Sequence, residues 1–176
     1  DDLQAREVEG LALEVIDEGG RTLTALREPP RTVAGASTEE SKVREELARV
    51  ARLIYERGYN VSIDGNLSYR LDDGTLLMTP TGSHNGFIRP EDFVVTRADG
   101  SLLRGDRAPT SEYRLHVEMH RVRPDCRCVI HVHSPNALAA SLAGIDLHES
   151  WITVAPVPTT PYARISSEQT PEVLRP

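Results

Sequence analysis

Arg127 to Pro135 reads RCVIHVHSP. Successive side chains of an extended strand point to opposite faces, which puts His131 and His133 on one side and Cys128, Ile130 and Val132 on the other. The two imidazoles are then roughly 7 Å apart at Cα. They can converge on one metal ion, for which neutral imidazole is a good donor. The opposite, apolar side reads as the buried one. Ser134 and Pro135 end the strand in a helix start, a capping hydroxyl followed by proline in the first turn. Spacing alone suits hydrogen-bonded core or rim histidines equally well, so the rest of the chain has to decide.

A length of 176 residues suits one domain with a real core. Hydrophobic content of 39 % and charged content of 27 % are those of an ordinary globular protein. A net charge of −7 argues against a nucleic-acid partner, because phosphate binding needs clustered Lys and Arg. No apolar run approaches a membrane span, and the opening DDLQAREVEG lacks the pattern of a signal peptide, so the expected location is cytoplasmic. The two cysteines, Cys126 and Cys128, face away from both histidines on the strand drawn above. A disulfide between such near neighbours would be strained, so both are read as reduced thiols, Cys128 with a packing role.

Residues 1–36 read as a poorly defined N-terminal arm. Val8, Leu11, Leu13, Val15 and Ile16 are mixed with acids, Gly19-Gly20 breaks whatever helix forms there, and REPPRTVAGAS is linker. From Ser37 the signal sharpens. Ser37 and Glu40 have capping-box spacing, Val43, Leu47, Val50 and Ile54 recur at helical intervals, and Gly58 stands where the helix would stop. The expected helix is Thr38 to Arg57. A strand at about Asn66 to Leu71, a turn at Asp72-Asp73-Gly74, the strand TLLMTP, then FVVTR and a turn at Ala98-Asp99-Gly100 give short strands paired antiparallel. Thr110 or Ser111 caps the next helix, with Glu112 in its first turn and Leu115, Met119 and Val122 on its buried side. The histidine strand follows, then a helix from Ser134 to Leu142 ended by Gly144, and a strand from Trp151 to Ala155.

Three pieces invite chemistry together: the histidine pair, the helix start Thr110-Ser111-Glu112, and the loops Asp64-Gly65-Asn66 and Thr79-Pro80-Thr81-Gly82-Ser83. Helix N-termini and glycine turns both expose backbone donors to anions. Each is weak singly, since Glu112 alone could be a surface acid that favours the helix dipole and the loops could be plain turns.

In order along the chain stand Gly65-Asn66-Leu67-Ser68-Tyr69-Arg70, Thr79-Pro80-Thr81-Gly82, Thr110-Ser111-Glu112 with His116, Arg123-Pro124-Asp125 with His131 and His133, and Pro161-Tyr162-Ala163. This series resembles the class II aldolase/adducin family over about residues 40–176. The resemblance implies a three-layer α/β/α fold around a mixed, mostly antiparallel sheet. It implies a divalent metal, usually zinc, a small-molecule substrate, and a homotetramer with active sites between subunits. By position, His131 and His133 match the family's paired metal ligands and Glu112 its acid/base. Asn66, Thr81, Gly82, Thr110 and Ser111 match positions that hold a substrate phosphate. The implied activity is aldolase-type cleavage of a hydroxy-carbonyl or sugar-phosphate-like compound, with the metal stabilising the enediolate and the carboxylate moving the proton. Decarboxylation or epimerisation by the same chemistry is the alternative, and non-catalytic, adducin-like assembly is a third reading.

Three departures stand out. The family's third metal histidine, in an HG motif after the PYA segment, has no counterpart before Pro176, so residues 37–176 read as the family domain lacking its C-terminal part; His148 reads as a loop residue. Ile63 stands where sugar-phosphate enzymes often carry a hydroxyl, which leaves room for an unphosphorylated substrate. Trp151-Ile152 occupies the region of a catalytic tyrosine and reads as a core anchor or an apolar wall for substrate.

Overall fold

The computed structural model describes residues 35–145 in full and, before them, the backbone of three strands. The chain divides into two compact units, Asp1–Gly35 and Ala36–Pro176. In the first, β1 (Arg6–Val8), β2 (Ala12–Ile16) and β3 (Thr22–Leu26) form an antiparallel sheet in that order. Val8 pairs with Ala12 and Ile16 with Thr22. Ala12–Ile16, in the stretch read as a poorly defined arm, is therefore strand and not a helix broken at Gly19-Gly20. Gly-Gly between β-branched runs is a hairpin signal, hidden here by the acids among the apolar residues.

The second unit opens with α1 (Thr38–Glu56), one residue shorter than expected. The Ser37 hydroxyl accepts from the Glu40 N–H at 3.1 Å, while Gly58 takes a left-handed φ of +71° past the C-terminus. Only half of the capping box forms. Glu40 is 2 % exposed and turns instead to Arg44, at 2.8 Å, and Arg104, at 2.6 Å. A buried guanidinium competes better for this carboxylate than a backbone N–H does. Arg44 also donates to the carbonyls of Pro90 and Phe93, tying α1 to the 3-10 turn at Pro90–Asp92.

Five strands follow in the sheet: β4 (Asn66–Arg70), β5 (Leu76–Met78), β6 (Val94–Thr96), β7 (Leu102–Arg104) and β8 (Cys128–His131). Their order is β7-β6-β5-β4-β8, with every described pair antiparallel. Between β7 and β8 the chain forms α2 (Tyr113–Val122), which carries it from one sheet edge to the other. α3 (Pro135–Leu142) follows β8.

The period-two alternation of the strands sorts their side chains between two helical layers. Leu67, Leu77 and Val95 pack against Leu47, Ala48, Ala51 and Ile54 of α1. Leu76, Met78 and Val94 pack against Tyr113 and Val117 of α2 on the other face. This is the expected three-layer α/β/α arrangement. Fully burying one Leu or Ile is worth roughly 1.5–3 kcal/mol, so the stripe of α1 outweighs its ~1 kcal/mol cap.

Two local expectations shift. The strand ends at His131 rather than running through His133, and Ile130 on the supposedly buried side is 48 % exposed, because β8 is an edge strand of the described sheet. The helix start moves too. α2 begins at Tyr113 with Glu112 as its N-cap residue, because Thr110 uses its hydroxyl and carbonyl to turn the chain onto the N–H groups of Glu112 and Tyr113. Cys126 and Cys128 are free thiols. His148, Trp151–Ala155 and Pro161-Tyr162-Ala163 lie outside the described residues. Among the described residues no helix is long and apolar enough to cross a membrane.

Candidate metal and substrate site

The site is built where β4 lies along α2. Asn66, Ser68 and Arg70 alternate on one strand face and meet the helix from end to end. Asn66 Nδ2 donates to Glu112 Oε2 at 2.7 Å, at the helix start. The Ser68 hydroxyl sits 2.7 Å from His116 Nδ1 and 2.8 Å from His120 Nε2, in its middle. Arg70 donates to the carbonyls of His120, Pro124 and Cys126, at and beyond its C-terminal end, where helix carbonyls lack intrahelical donors. His116 Nε2 closes on Asn66 Oδ1, so the amide of Asn66 is held at both ends.

β8 supplies His131, and the segment just after it supplies His133. Asn66 pairs with His131 across the β4–β8 ladder, which brings His131 to the face that carries Glu112. His131 Nδ1 lies 3.0 Å from Glu112 Oε2 but out of line for a hydrogen bond, so it counts as a contact rather than a bond. The His131 and His133 rings are 4.8 Å apart, and the backbone N–H of His133 donates to buried Asn60 Oδ1 at 3.1 Å. Donor atoms of Glu112, His131 and His133 all fall within 4.8 Å of one another. Burial would raise the Glu112 pKa, but the contacts with His131 and Asn66 and the charges of His131 and His133 outweigh it and hold it at about 2. Glu112 Oε1 and His131 Nδ1 are buried without a hydrogen-bond partner. Two orphaned atoms beside a second imidazole, that of His133, are what a divalent cation would satisfy, so the residues fit such an ion. The nitrogen–nitrogen–oxygen set suits several first-row metals and does not single out zinc.

Beside this cluster is a cleft of about 500 Å³. Asn66, Thr81, Gly82, Thr110, Ser111, Glu112 and His133 all line it, as does Ile63. His131 reaches Glu112 from β8 and is not among the lining residues. The two loops around the cleft are tied by Thr81 N–H to the Ala108 carbonyl and Thr110 N–H to the Thr79 carbonyl. Arg107 braces them further, donating to Ser83 Oγ at 3.2 Å and to the Thr81 carbonyl. One N–H of Asn66 is engaged by Glu112, which leaves its second for a ligand.

Asn60, Ser68, His120 and Arg107 were not anticipated as supports. His116 and His120 stand four apart on one helix face, and Ser68 shares a strand face with Asn66, so those were open to notice. Asn60 sits in a loop with no periodicity to flag it.

The match to the Class II Aldolase and Adducin N-terminal domain spans residues 45–175, and the chain belongs to this family. It is 39 % identical over 134 residues to the 3-oxo-tetronate 4-phosphate decarboxylase of Escherichia coli O6:H1, covering 71 % of this chain and 63 % of that one. It is 36 % identical over 130 residues to the methylthioribulose-1-phosphate dehydratase of Methylococcus capsulatus, covering 64 % of this chain and 63 % of that one. Among solved structures, YgbL of Escherichia coli superposes with a TM-score of 0.68 at 35 % identity, over 78 % of this chain and 70 % of that one.

Proposed function

We propose that the protein is a metal-dependent lyase that decarboxylates a phosphorylated 3-oxo acid. The convergence of Glu112, His131 and His133 beside a cleft lined by Thr81, Gly82, Thr110 and Ser111 carries this reading. Five relatives that are 36–43 % identical bear the name 3-oxo-tetronate 4-phosphate decarboxylase, which favours decarboxylation over the aldol cleavage expected first. The chain spans half to about 64 % of their lengths. Their phosphate-bearing substrate also weighs against reading Ile63 as a sign of an unphosphorylated one.

Loss of CO₂ breaks the bond between the carboxylate carbon and its neighbour and leaves an electron pair that spreads onto the 3-oxo oxygen. His131 and His133, with Glu112 beside them, would hold a divalent cation, which would supply positive charge for that developing oxyanion. Zinc is the metal the family resemblance implies, and a cytoplasmic homotetramer the setting. On this reading Glu112 passes a proton drawn from water to the carbon that lost CO₂. Thr81, Thr110, Ser111 and the second N–H of Asn66 hold the phosphate, and the backbone donors of these loops add to them.

The test is CO₂ release from 3-oxo-tetronate 4-phosphate by the zinc-loaded, full-length protein, with fuculose 1-phosphate as the aldol comparison. An aldehyde product without CO₂ would restore the aldolase reading. Zinc binding with no turnover on either compound would favour an assembly role.

A further inference from the structure

We propose that His116 is a positioning residue for Glu112: as the Nε2–H tautomer it aims the amide of Asn66, and through it the carboxylate. The inference rests on the reading of Glu112 as part of the working site. His116 is 0 % exposed, and both its ring nitrogens are engaged, one by Asn66 and one by Ser68.

The direction of each hydrogen bond follows from the one before it. An ionised carboxylate only accepts, so Asn66 must turn its Nδ2 toward Glu112. Its Oδ1 then faces His116 and also only accepts, so the hydrogen of His116 must be on Nε2. Burial, reinforced by the charges of His131 and His120 and opposed by Glu112, pushes the His116 pKa down to about 3 and keeps the ring neutral. A neutral ring with hydrogen on Nε2 has a bare Nδ1, which accepts from the Ser68 hydroxyl. The hydroxyl oxygen in turn accepts from Nε2 of His120. The row therefore has one polarity, fixed by the charge at its Glu112 end. An amide does not relay protons as an imidazole or water does, so the row orients Glu112 and does not carry its proton away.

Orientation matters because Glu112 has a near-symmetric choice. Its Oε2 faces Asn66 and His131, while Oε1 is left without a partner for a cation or substrate. Were Asn66 to flip, its carbonyl would face the carboxylate and drive it off this setting. The His116 N–H blocks that flip, because a flipped Asn66 would oppose donor to donor. Partners of metal-site groups typically change metal affinity by about 10–100-fold when removed.

Two substitutions separate this role from packing. In His116→Gln the terminal amide can place an N–H near the position of Nε2 and keep the donor to Asn66. In His116→Asn the shorter amide reaches only toward Ser68, and that donor is lost. Zinc affinity of the full chain, read by competition with a chromophoric chelator, should fall at least tenfold in His116→Asn and stay within about threefold of the parent in His116→Gln. Equal losses in the two variants would overturn the proposal and leave His116 a core residue. Long-range ¹H–¹⁵N correlation on the unsubstituted protein supplies a readout independent of folding in the variants and of turnover. It should show His116 as the Nε2–H tautomer, and an Nδ1–H ring or an imidazolium at neutral pH would overturn the proposal outright. Should the unsubstituted protein bind no zinc, the metal reading fails and the tautomer alone decides whether His116 aims Asn66.

Discussion

A Cβ added to Gly65 would lie 2.3 Å from Asn60 Nδ2, the side chain whose Oδ1 accepts from the backbone N–H of His133. The glycine before Asn66 thus makes room for the residue that fixes the second histidine. Its left-handed φ of +71° adds an independent reason for glycine. Gly65→Ala is expected to cost about 1–2 kcal/mol through backbone strain and about 1 kcal/mol more through the displaced Asn60 bond. The coupling is measurable by urea unfolding. Asn60→Ala removes the clash, so the double variant should cost less than the sum of the two single changes. Strict additivity would disconnect Gly65 from Asn60.

Glu40 makes a second stability test. Glu40 and Arg44 are both almost wholly inaccessible, and removing one member of a buried pair leaves an uncompensated charge. Glu40→Ala should cost about 3–5 kcal/mol, toward the lower end because the Pro90 and Phe93 carbonyls still accept from Arg44. Glu40→Gln keeps an acceptor and should cost less. A loss below about 1 kcal/mol for the alanine change, a value typical of exposed pairs, would show the pair to be dispensable.

Local chemistry explains what was legible. The Ser37 cap, the Gly58 stop, the turn at Asp72-Asp73-Gly74 and the apolar stripe of α1 are each written within a few residues, and all appear where the pattern puts them. The Glu112, His131 and His133 grouping was also readable, because His131 and His133 share a segment and the resemblance supplied Glu112. Contacts between distant residues were not readable. The bond from Asn66 to Glu112 spans 46 positions, and that from His133 to Asn60 spans 73. Glu40 looked like a capping-box residue because the sequence does not reveal that Arg104 arrives beside it from β7. Likewise, acids between apolar residues in 1–36 masked a strand pattern that only the pairing of β2 with its two neighbours makes plain.

Acid should expose the buried histidines before the carboxylates. Burial, then the charges of His131 and His120, hold His116 at about 3 against an ordinary 6.5, with Glu112 opposing. His120 is lowered as well, by burial first and Arg70 next, against the Cys126 carbonyl. Between those values the unfolded chain binds a proton that the folded chain does not, so stability rises with pH. The contribution is complete above about 6.5 and is lost as pH falls toward 3. From pH 6.5 to 5, where carboxylates are still ionised in both states, His116 alone accounts for about 2 kcal/mol. Urea unfolding across this window should show a shallower slope for His116→Gln than for the parent. Identical slopes would mean that His116 takes up its proton in the folded state.

Glu112 separates catalyst from scaffold. As the N-cap residue of α2 it makes no side-chain cap bond, so its helix-dipole contribution is only ~0.3–1 kcal/mol. A general acid/base contributes typically ~10²–10⁴ in rate. Glu112→Gln keeps the size of the side chain and an oxygen that Asn66 Nδ2 can still meet, but it takes up no proton. The fold should therefore survive the change while turnover falls by at least 10²-fold. His131→Ala should behave differently, losing bound zinc and turnover together, since two donors hold the ion poorly. Comparing zinc content with CO₂ release across the two variants resolves the roles. Turnover that persists in Glu112→Gln with metal retained would remove Glu112 from the proton transfer. Zinc that persists in His131→Ala would remove the β8 histidine from the metal site.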